Sequence, residues 1–267
     1  MRAISLIYHD VVERVEHHKS GFPGSDAALY KLESGHFKDH LKALSTTVRQ
    51  KPVNIFSLSS QAEGRMPFLL TFDDGGISAY TCIADMLEEI GWRGHFFIAT
   101  GYIGSQSFMN RDQILELHRR GHVIGTHSQS HPLRMASCSW NELLWEWKTS
   151  VEILSDILGE KVTVASLPGG HYSRKVAEAA SLSGIEVLFT SEPVKKSYYV
   201  DGCQVLGRYS IQRSTPPHIA AELASGSLAA SLKQYLFWNT KKMAKAFGGK
   251  YYSKAREFIL RQAGDEG

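Results

Sequence analysis

The sequence predicts an α/β protein in which short parallel strands alternate with helices. Two observations support this class. Short apolar runs alternate with amphipathic stretches of about 10–18 residues, and several of the apolar runs end abruptly at polar residues. The chain has 267 residues, of which 43% are hydrophobic and 21% charged, enough apolar material for a substantial core. In β/α barrels catalytic residues gather at the carboxyl ends of the strands, so we expect the functional residues there.

Six apolar segments are predicted to be strands because each is rich in branched or aromatic residues and is bounded by polar residues or glycine. The segments are 3–8, 67–72, 94–99, 123–126, 162–167 and 185–190. Helical spacing of apolar residues predicts helices between them. These helices are placed around 37–44 and at 77–90, 111–120, 140–158 and 174–183. Residues 13–34 are polar and are expected to form a loop.

Two adjacent carboxylates follow the second predicted strand. Asp73 and Asp74 precede Gly75 and Gly76, which allow the chain to turn. Two buried carboxylates are costly unless a positive charge compensates them. One of them can bind a metal while the other faces a water molecule. The alternative is a helix N-cap with a second acidic residue that favours the helix dipole.

Two histidines follow the fourth predicted strand. His127 and His131 are four residues apart, a spacing that places two imidazoles on one side of a helical turn. With one aspartate they would form a three-ligand set with open positions, which is typical of catalytic metal sites. The alternative is a pair of locally bonded histidines in a chain that contains 12 of them.

These motifs resemble those of the polysaccharide deacetylase family (NodB homology domain, carbohydrate esterase family 4). The matching residues are Thr71-Phe72-Asp73-Asp74-Gly75, His127-Ser128 with His131, 96–100 and 119–126. The resemblance covers residues 1–215 and implies a distorted (β/α) barrel with about seven parallel strands, fewer than the eight of a full barrel. It also implies a divalent metal, by default zinc, bound by Asp74, His127 and His131. Asp73 would then be the general base.

The general acid and the partner of the base depart from the family pattern. Many relatives carry the acid as a histidine in a late Leu-x-His motif, which is missing after residue 190. His9, at the end of the first strand, resembles the acid of circularly permuted relatives; the alternative is a histidine that only forms a local hydrogen bond. The arginine that pairs with the base in the family is missing before Pro168, and Arg208 is predicted to replace it.

Substrate contact is predicted for a turn and for one distant arginine. Backbone at Pro168, Gly169 and Gly170 would approach the ligand closely. The next two residues would line the sugar site, although a simple loop role is an alternative for them. The predicted substrate-contacting set is Pro168, Gly169, Gly170, His171, Tyr172 and Arg208.

Residues 216–267 are predicted to form a basic, helical C-terminal extension of the barrel. Between residues 233 and 261 there are eight basic residues and one acidic residue, so the formal charge of +3 divides into +7 here and −4 elsewhere. A basic amphipathic segment at 228–261 could contact an anionic membrane, and packing of two helices on the barrel is the alternative. No nucleic-acid recognition motif is present, and no nucleic-acid partner is expected.

The expected location is cytoplasmic, with a peripheral position at the inner face of the membrane as an option. The first apolar stretch is too short for a signal peptide, and no apolar run reaches the roughly 20 residues of a membrane span. The three cysteines lack a C-x-x-C pair, which fits a reducing compartment.

The expected function is hydrolysis of a linear, non-peptide amide. The enzyme would remove the N-acetyl group of an amino sugar in a polysaccharide or a lipid-linked glycan precursor, as in exopolysaccharide biosynthesis. Two alternatives remain open: removal of a formyl or other small acyl group, and glycan binding without catalysis on the same fold.

Overall fold

The computed structural model describes residues 1–13, 16, 18–60 and 66–240. Eleven strands occur in this part of the chain. They are β1 Ile4–Tyr8, β2 Val11–Val12, β3 Leu32–Glu33, β4 Phe68–Phe72, β5 His95–Ile98, β6 Val123–Thr126, β7 Val164–Ser166, β8 Val187–Phe189, β9 Tyr198–Val200, β10 Cys203–Leu206 and β11 Tyr209–Ser210. The α-helices are α1 Ser25–Ala28, α2 Ser34–Val48, α3 Ala84–Glu89, α4 Arg111–Arg119, α5 Trp140–Leu158, α6 Arg174–Leu182 and α7 Pro217–Ala224. Residues 228–240 are also helical.

The main sheet closes on itself. Its order is β11-β1-β4-β5-β6-β7-β8-β10-β9, and the pairing is parallel except between β9 and β10. β10 and β11 belong to one continuous segment, residues 203–210, which pairs with β8 at its start and with β1 at its end. This segment joins the two ends of the sheet and completes a distorted barrel of seven parallel strands. The predicted fold class and the predicted strand number are confirmed.

The closing segment bends between its two paired portions. Gly207 lies at the bend, where a Cβ atom would come within 2.2 Å of the Glu192 carbonyl oxygen, so only glycine fits. Arg208 follows and is completely buried. Closure of the barrel therefore carries a guanidinium group into its interior.

Aromatic packing fixes the register of the strands that carry the site. Phe72 is paired in register with Tyr8 on β1 and with Phe96 on β5. Its ring stacks on both partners, with centroid separations of 5.7 and 5.0 Å. Because such pairs contribute packing energy beyond burial, the residue after Phe72 has a defined position at the carboxyl edge.

Two predicted elements differ from the structure. Residues 13–34 include the short helix α1 and the strand β3, which pairs in parallel with β2. Elements of two to four residues are too short to show a periodic pattern. The helix predicted at 77–90 begins as a π-helical turn over Ala79–Ile83 before it continues as α3.

The end of the described chain packs against the barrel. α7 buries Ala220, Ala221 and Leu223 and packs on α2 and β1. The division into domains at residue 215 remains a prediction, and the predicted extension from residue 241 onward lies outside the described residues. Within the described ranges, no helix combines the length and the apolar character needed to cross a membrane.

One buried histidine makes the fold sensitive to acid. His95 is 1% exposed, donates from Nδ1 to the Leu70 carbonyl at 2.9 Å, and accepts at Nε2 from the Ile55 N–H at 3.0 Å. Burial lowers the pKa of His95 to about 4. Protonation would also turn the acceptor nitrogen into a donor that faces another donor.

We expect the free energy of unfolding to fall as the pH decreases from about 6.5 to about 4. The folded His95 stays neutral in this range while the unfolded chain binds the proton, which costs up to about 1.4 kcal/mol per pH unit. His95→Gln removes this titration and keeps a donor and an acceptor. Urea unfolding at several pH values should give the variant a shallower pH dependence than the wild type; equal slopes would contradict the assignment.

Candidate active site

A buried ion pair links the end of β4 to the closing segment, although β1 lies between the two in the sheet. Arg208 binds both oxygens of Asp73, with Nη1 2.7 Å from Oδ1 and Nη2 2.8 Å from Oδ2. Asp73 is only 4% exposed. Burial opposes ionisation of this carboxyl, but Arg208 and then His127 outweigh it, so the pKa of Asp73 is lowered. The carboxylate is therefore ionised at neutral pH.

All five donors of Arg208 are used within the protein. Besides the two bonds to Asp73, Nε donates to the Thr190 carbonyl at 3.0 Å, Nη1 to Thr71 Oγ1 at 3.2 Å and Nη2 to Ser166 Oγ at 2.7 Å. The structure thus places Arg208 against Asp73, in the position expected for the missing family arginine. In contrast to its predicted contact with substrate, Arg208 is completely buried and all of its donors bond within the protein.

The three predicted metal ligands lie together at the carboxyl edge. Asp74 Oδ1 is 3.4 Å from His127 Nε2 and 3.3 Å from His131 Nε2. One ligand atom from each residue lies within 4.8 Å of the other two. Asp74 has a φ of 78° and His131 a φ of 56°, so both have left-handed backbone that costs energy in most residues. Such strain at two clustered polar residues is common at functional sites.

The donor set fits a divalent cation. His127 Nδ1 lies 2.9 Å from the Ser166 carbonyl, and because a carbonyl only accepts, Nδ1 carries the hydrogen and leaves the Nε2 lone pair free. This arrangement is typical of metal-bound histidine. A tetrahedral ion with bonds of about 2.1 Å requires ligand atoms about 3.4 Å apart, close to the two separations that involve Asp74.

His9 lies next to Asp73 on the neighbouring strand. Tyr8 and Phe72 are register partners, and Asp73 N–H donates to the Tyr8 carbonyl at 3.1 Å. The positive form of His9 contributes to lowering the pKa of Asp73. Within the described residues, the buried Nδ1 of His9 has no hydrogen-bond partner, and its ring packs on Tyr30 with centroids 4.8 Å apart. The structure thus brings His9 beside the aspartate pair.

The predicted groove turn follows β7 at the same edge. Ser166, whose hydroxyl donates to Asp73 Oδ2 at 2.9 Å, precedes the turn Pro168–Gly170 by two residues. Gly169 has a φ of 66°, and a Cβ there would lie 2.3 Å from the Leu133 carbonyl oxygen. The turn therefore packs directly on the loop after His131.

The last two predicted groove residues directly follow the turn. His171 and Tyr172 are half-buried. The Tyr172 ring packs on Tyr198 of β9 with centroids 6.2 Å apart, and it contacts the apolar core between α5 and α6. Substrate contact by these two residues remains a prediction.

Two residues that support the site are not among those that the sequence motifs predict. Ser166 forms hydrogen bonds with Asp73 and Arg208 through its hydroxyl and with His127 through its carbonyl. A serine within a strand leaves no distinguishing pattern in the sequence. Glu146 is 4% exposed and accepts from the N–H groups of Gln129 and Ser130, at 2.9 and 2.8 Å, between the two histidines. An acidic residue on the apolar face of α5 is a signal that could have identified it.

The fold and the site define a general class, a distorted (β/α) barrel with an Asp–His–His cluster beside an ionised aspartate. Residues 61–188 match the family model for polysaccharide deacetylase. YxkH of Bacillus subtilis is 24% identical over 161 residues, which span 59% of this chain and 57% of that protein. The predicted resemblance to this family is confirmed over residues 61–188, just under half of the chain.

Two solved structures share the fold. The deacetylase PplD of Streptococcus pyogenes, solved in complex with acetate, has a TM-score of 0.70 and 19% identity, and the match covers 84% of this chain and 98% of that one. IcaB of Ammonifex degensii has a TM-score of 0.67 and 20% identity, with 84% and 97% covered. At this identity the comparison establishes the barrel and not the reaction.

Removing one partner of the buried ion pair should lower the free energy of unfolding more than removing both charges. We expect Arg208→Met to lower the free energy of unfolding by about 3–5 kcal/mol, because Asp73 stays buried without its partner. The double variant D73N/R208M should recover part of this loss because a neutral amide needs no cation. Urea unfolding in the presence of a chelator measures the free energy of unfolding of each variant. Strictly additive effects of the two substitutions would contradict an energetic coupling between Asp73 and Arg208.

Proposed function

We propose that this protein is a metal-dependent deacetylase that hydrolyses the N-acetyl amide of an amino sugar in a polysaccharide or a lipid-linked glycan precursor. One observation carries the proposal. An ionised carboxylate, Asp73, lies beside the Asp74–His127–His131 cluster, with Asp73 Oδ2 3.8 Å from His127 Nε2. The family match of residues 61–188 supports the same reaction class.

The proposed metal site consists of Asp74, His127 and His131. When bound, a divalent ion, by default zinc, would supply Lewis acidity that polarises an amide carbonyl and offsets negative charge on its oxygen. His127 is oriented for this role by its bond to the Ser166 carbonyl. Three protein ligands leave a position open, which is the arrangement of catalytic sites.

Asp73 is the proposed general base. Arg208 keeps its carboxylate ionised and holds both oxygens in one orientation, and Ser166 donates a third hydrogen bond. A fixed carboxylate beside the ligand cluster can accept a proton from an attacking water molecule. The lowered pKa keeps Asp73 deprotonated at neutral pH but makes it a weak base. Its placement beside the ligand cluster therefore contributes more to catalysis than its basicity.

His9 is the proposed general acid. It lies across from Asp73 on the adjacent strand and is half-buried, so it can face the substrate from the other side. Protonated His9 can donate to the leaving amine nitrogen as the carbon–nitrogen bond breaks. The turn Pro168–Gly170 is proposed as a groove wall, since it follows β7 and packs on the loop after His131.

Substitution of the base or the acid should separate catalysis from metal binding. We expect Asp73→Asn and His9→Gln to lower kcat by about 10²–10⁴-fold, the usual contribution of acid–base groups, while the bound metal stays near one per chain. His127→Ala should lose the metal as well. Acetate release from N-acetylated amino-sugar oligomers and metal analysis of the same samples measure both properties.

Asp112→Asn serves as the matched control because this acidic residue is exposed on α4. It should retain wild-type kcat. Acetate release that survives chelation, or an unchanged kcat in Asp73→Asn, would overturn the proposal. Release of formate alone would indicate a deformylase, and glycan binding without release of any acyl group would indicate a non-catalytic protein.

We also propose a cytoplasmic location with peripheral contact to an anionic membrane through residues 228–261. The support comes from the described part, where Leu228, Leu232 and Leu236 recur every fourth position and are 80%, 58% and 55% exposed. A row of exposed apolar residues on a helix is typical of an interfacial surface. A groove beside this helix is lined by Arg2, Lys195 and Lys196, cations that suit anionic headgroups.

Disruption of this leucine row should weaken vesicle binding. We expect the double variant L232E/L236E to co-sediment with phosphatidylserine-containing vesicles at least several-fold less than the wild type, since it places two acids on the apolar row. Leu182→Glu is the matched control, because Leu182 is 66% exposed on α6. Equal sedimentation of the double variant and the wild type would contradict the membrane contact.

A further inference from the structure

Asp10 is a buried carboxylate that the proposed chemistry does not use. It follows His9 and is 3% exposed. Its Oδ1 accepts from Ser20 Oγ at 2.5 Å and from Ser78 Oγ at 2.8 Å. Its Oδ2 has no hydrogen-bond partner among the described residues. A buried acid with one oxygen unsatisfied is costly, which points to a role beyond packing.

The carboxylate of Asp10 lies between two glycines from separate segments. A Cβ on Gly21 would come within 2.1 Å of Asp10 Oδ2, and a Cβ on Gly76 within 2.0 Å of Oδ1. Gly76 belongs to the turn that follows Asp74. Asp10 therefore joins three pieces of chain: the end of β1, the turn after the aspartate pair, and residues 18–31, here called the 18–31 segment.

The 18–31 segment is held by a buried lysine as well. Lys31 is 2% exposed and its ammonium donates to the carbonyls of Ser20, at 2.5 Å, and Phe22, at 2.7 Å. Ser78 N–H donates to Ser20 Oγ at 2.8 Å. Because Asp10, Lys31 and Ser78 all bond Ser20 or its neighbours, the backbone before Phe22 has a defined position.

The 18–31 segment packs an aromatic ring against each of two histidines of the site. Phe22 packs on His131 with centroids 4.5 Å apart, and Tyr30 packs on His9 at 4.8 Å. His127 is oriented by a hydrogen bond to a carbonyl. Within the described part of the chain, the His131 side chain has no comparable hydrogen bond from Nδ1, and its ring is oriented by packing on Phe22 and on His127, 5.0 Å away.

We propose that Asp10 is a positioning residue for the active site: it anchors the 18–31 segment so that Phe22 orients the ligand His131 and Tyr30 orients the acid His9. The inference rests on the proposed function, because it assigns Asp10 an effect on those two roles. Phe22 then replaces, by ring packing, the hydrogen bond that usually orients a metal-bound histidine.

The test combines metal spectroscopy with steady-state kinetics on the full chain loaded with Co²⁺, whose visible absorption reports ligand geometry. We expect Asp10→Asn to bind one Co²⁺ but to change its visible bands, and to lower kcat for acetate release about tenfold or more, with KM changed less. Phe22→Ala should reproduce the spectral change, and Phe22→Tyr, which keeps the ring, should restore the wild-type spectrum.

Asp26→Asn is the matched control, since it makes the same acid-to-amide change at an exposed residue of the same segment. Its spectrum and kcat should equal those of the wild type. Suppose that the wild type is active, and that D10N and F22A change the melting temperature but neither the Co²⁺ bands nor kcat. The positioning role is then overturned while the proposed function stands. A wild type that binds no Co²⁺ overturns the proposed metal site and this inference together.

Discussion

The buried ion pair between Asp73 and Arg208 is the constraint on which the rest of the structure depends. Two ionised groups can lie in the barrel interior only when their hydrogen bonds compensate the loss of water, and here all five guanidinium donors find acceptors. Arg208 reaches Asp73 because the segment 203–210 bends at Gly207 and joins β8 to β1. Closure of the barrel and ionisation of the proposed base therefore depend on the same few residues.

Adjacent residues with the same side chain acquire different surroundings through the backbone. Asp73 continues the direction of β4 and its carboxylate meets Arg208 inside the barrel. Asp74 has left-handed backbone, with a φ of 78°, and its carboxylate meets the two histidines. The energy that this conformation costs is offset by contacts that exist only in the folded protein. Asp73 can therefore act as the proposed base and Asp74 as a proposed metal ligand.

Segments with little regular structure pack around the residues of the site. The 18–31 segment contributes Phe22 and Tyr30, and the turn Pro168–Gly170 packs on the loop after His131. Such segments are placed by buried polar contacts, at Asp10 and Lys31 on one side and at Glu146 on the other. Polar anchors of this kind keep a loop in one position where an apolar core cannot reach.

The sequence by itself determined the class of fold, the positions of the main strands and helices, and the motifs that carry Asp73, Asp74, His127 and His131. Those features leave local signals: apolar periodicity, and polar residues placed at strand ends. Only the tertiary structure decided that residues 203–210 close the barrel, that Arg208 lies buried against Asp73, and that Ser166 and Asp10 hold neighbouring segments together. These contacts join residues between 10 and 203 positions apart. Hydrogen bonds at that separation leave no pattern along the chain, because their geometry exists only after the strands have been brought side by side.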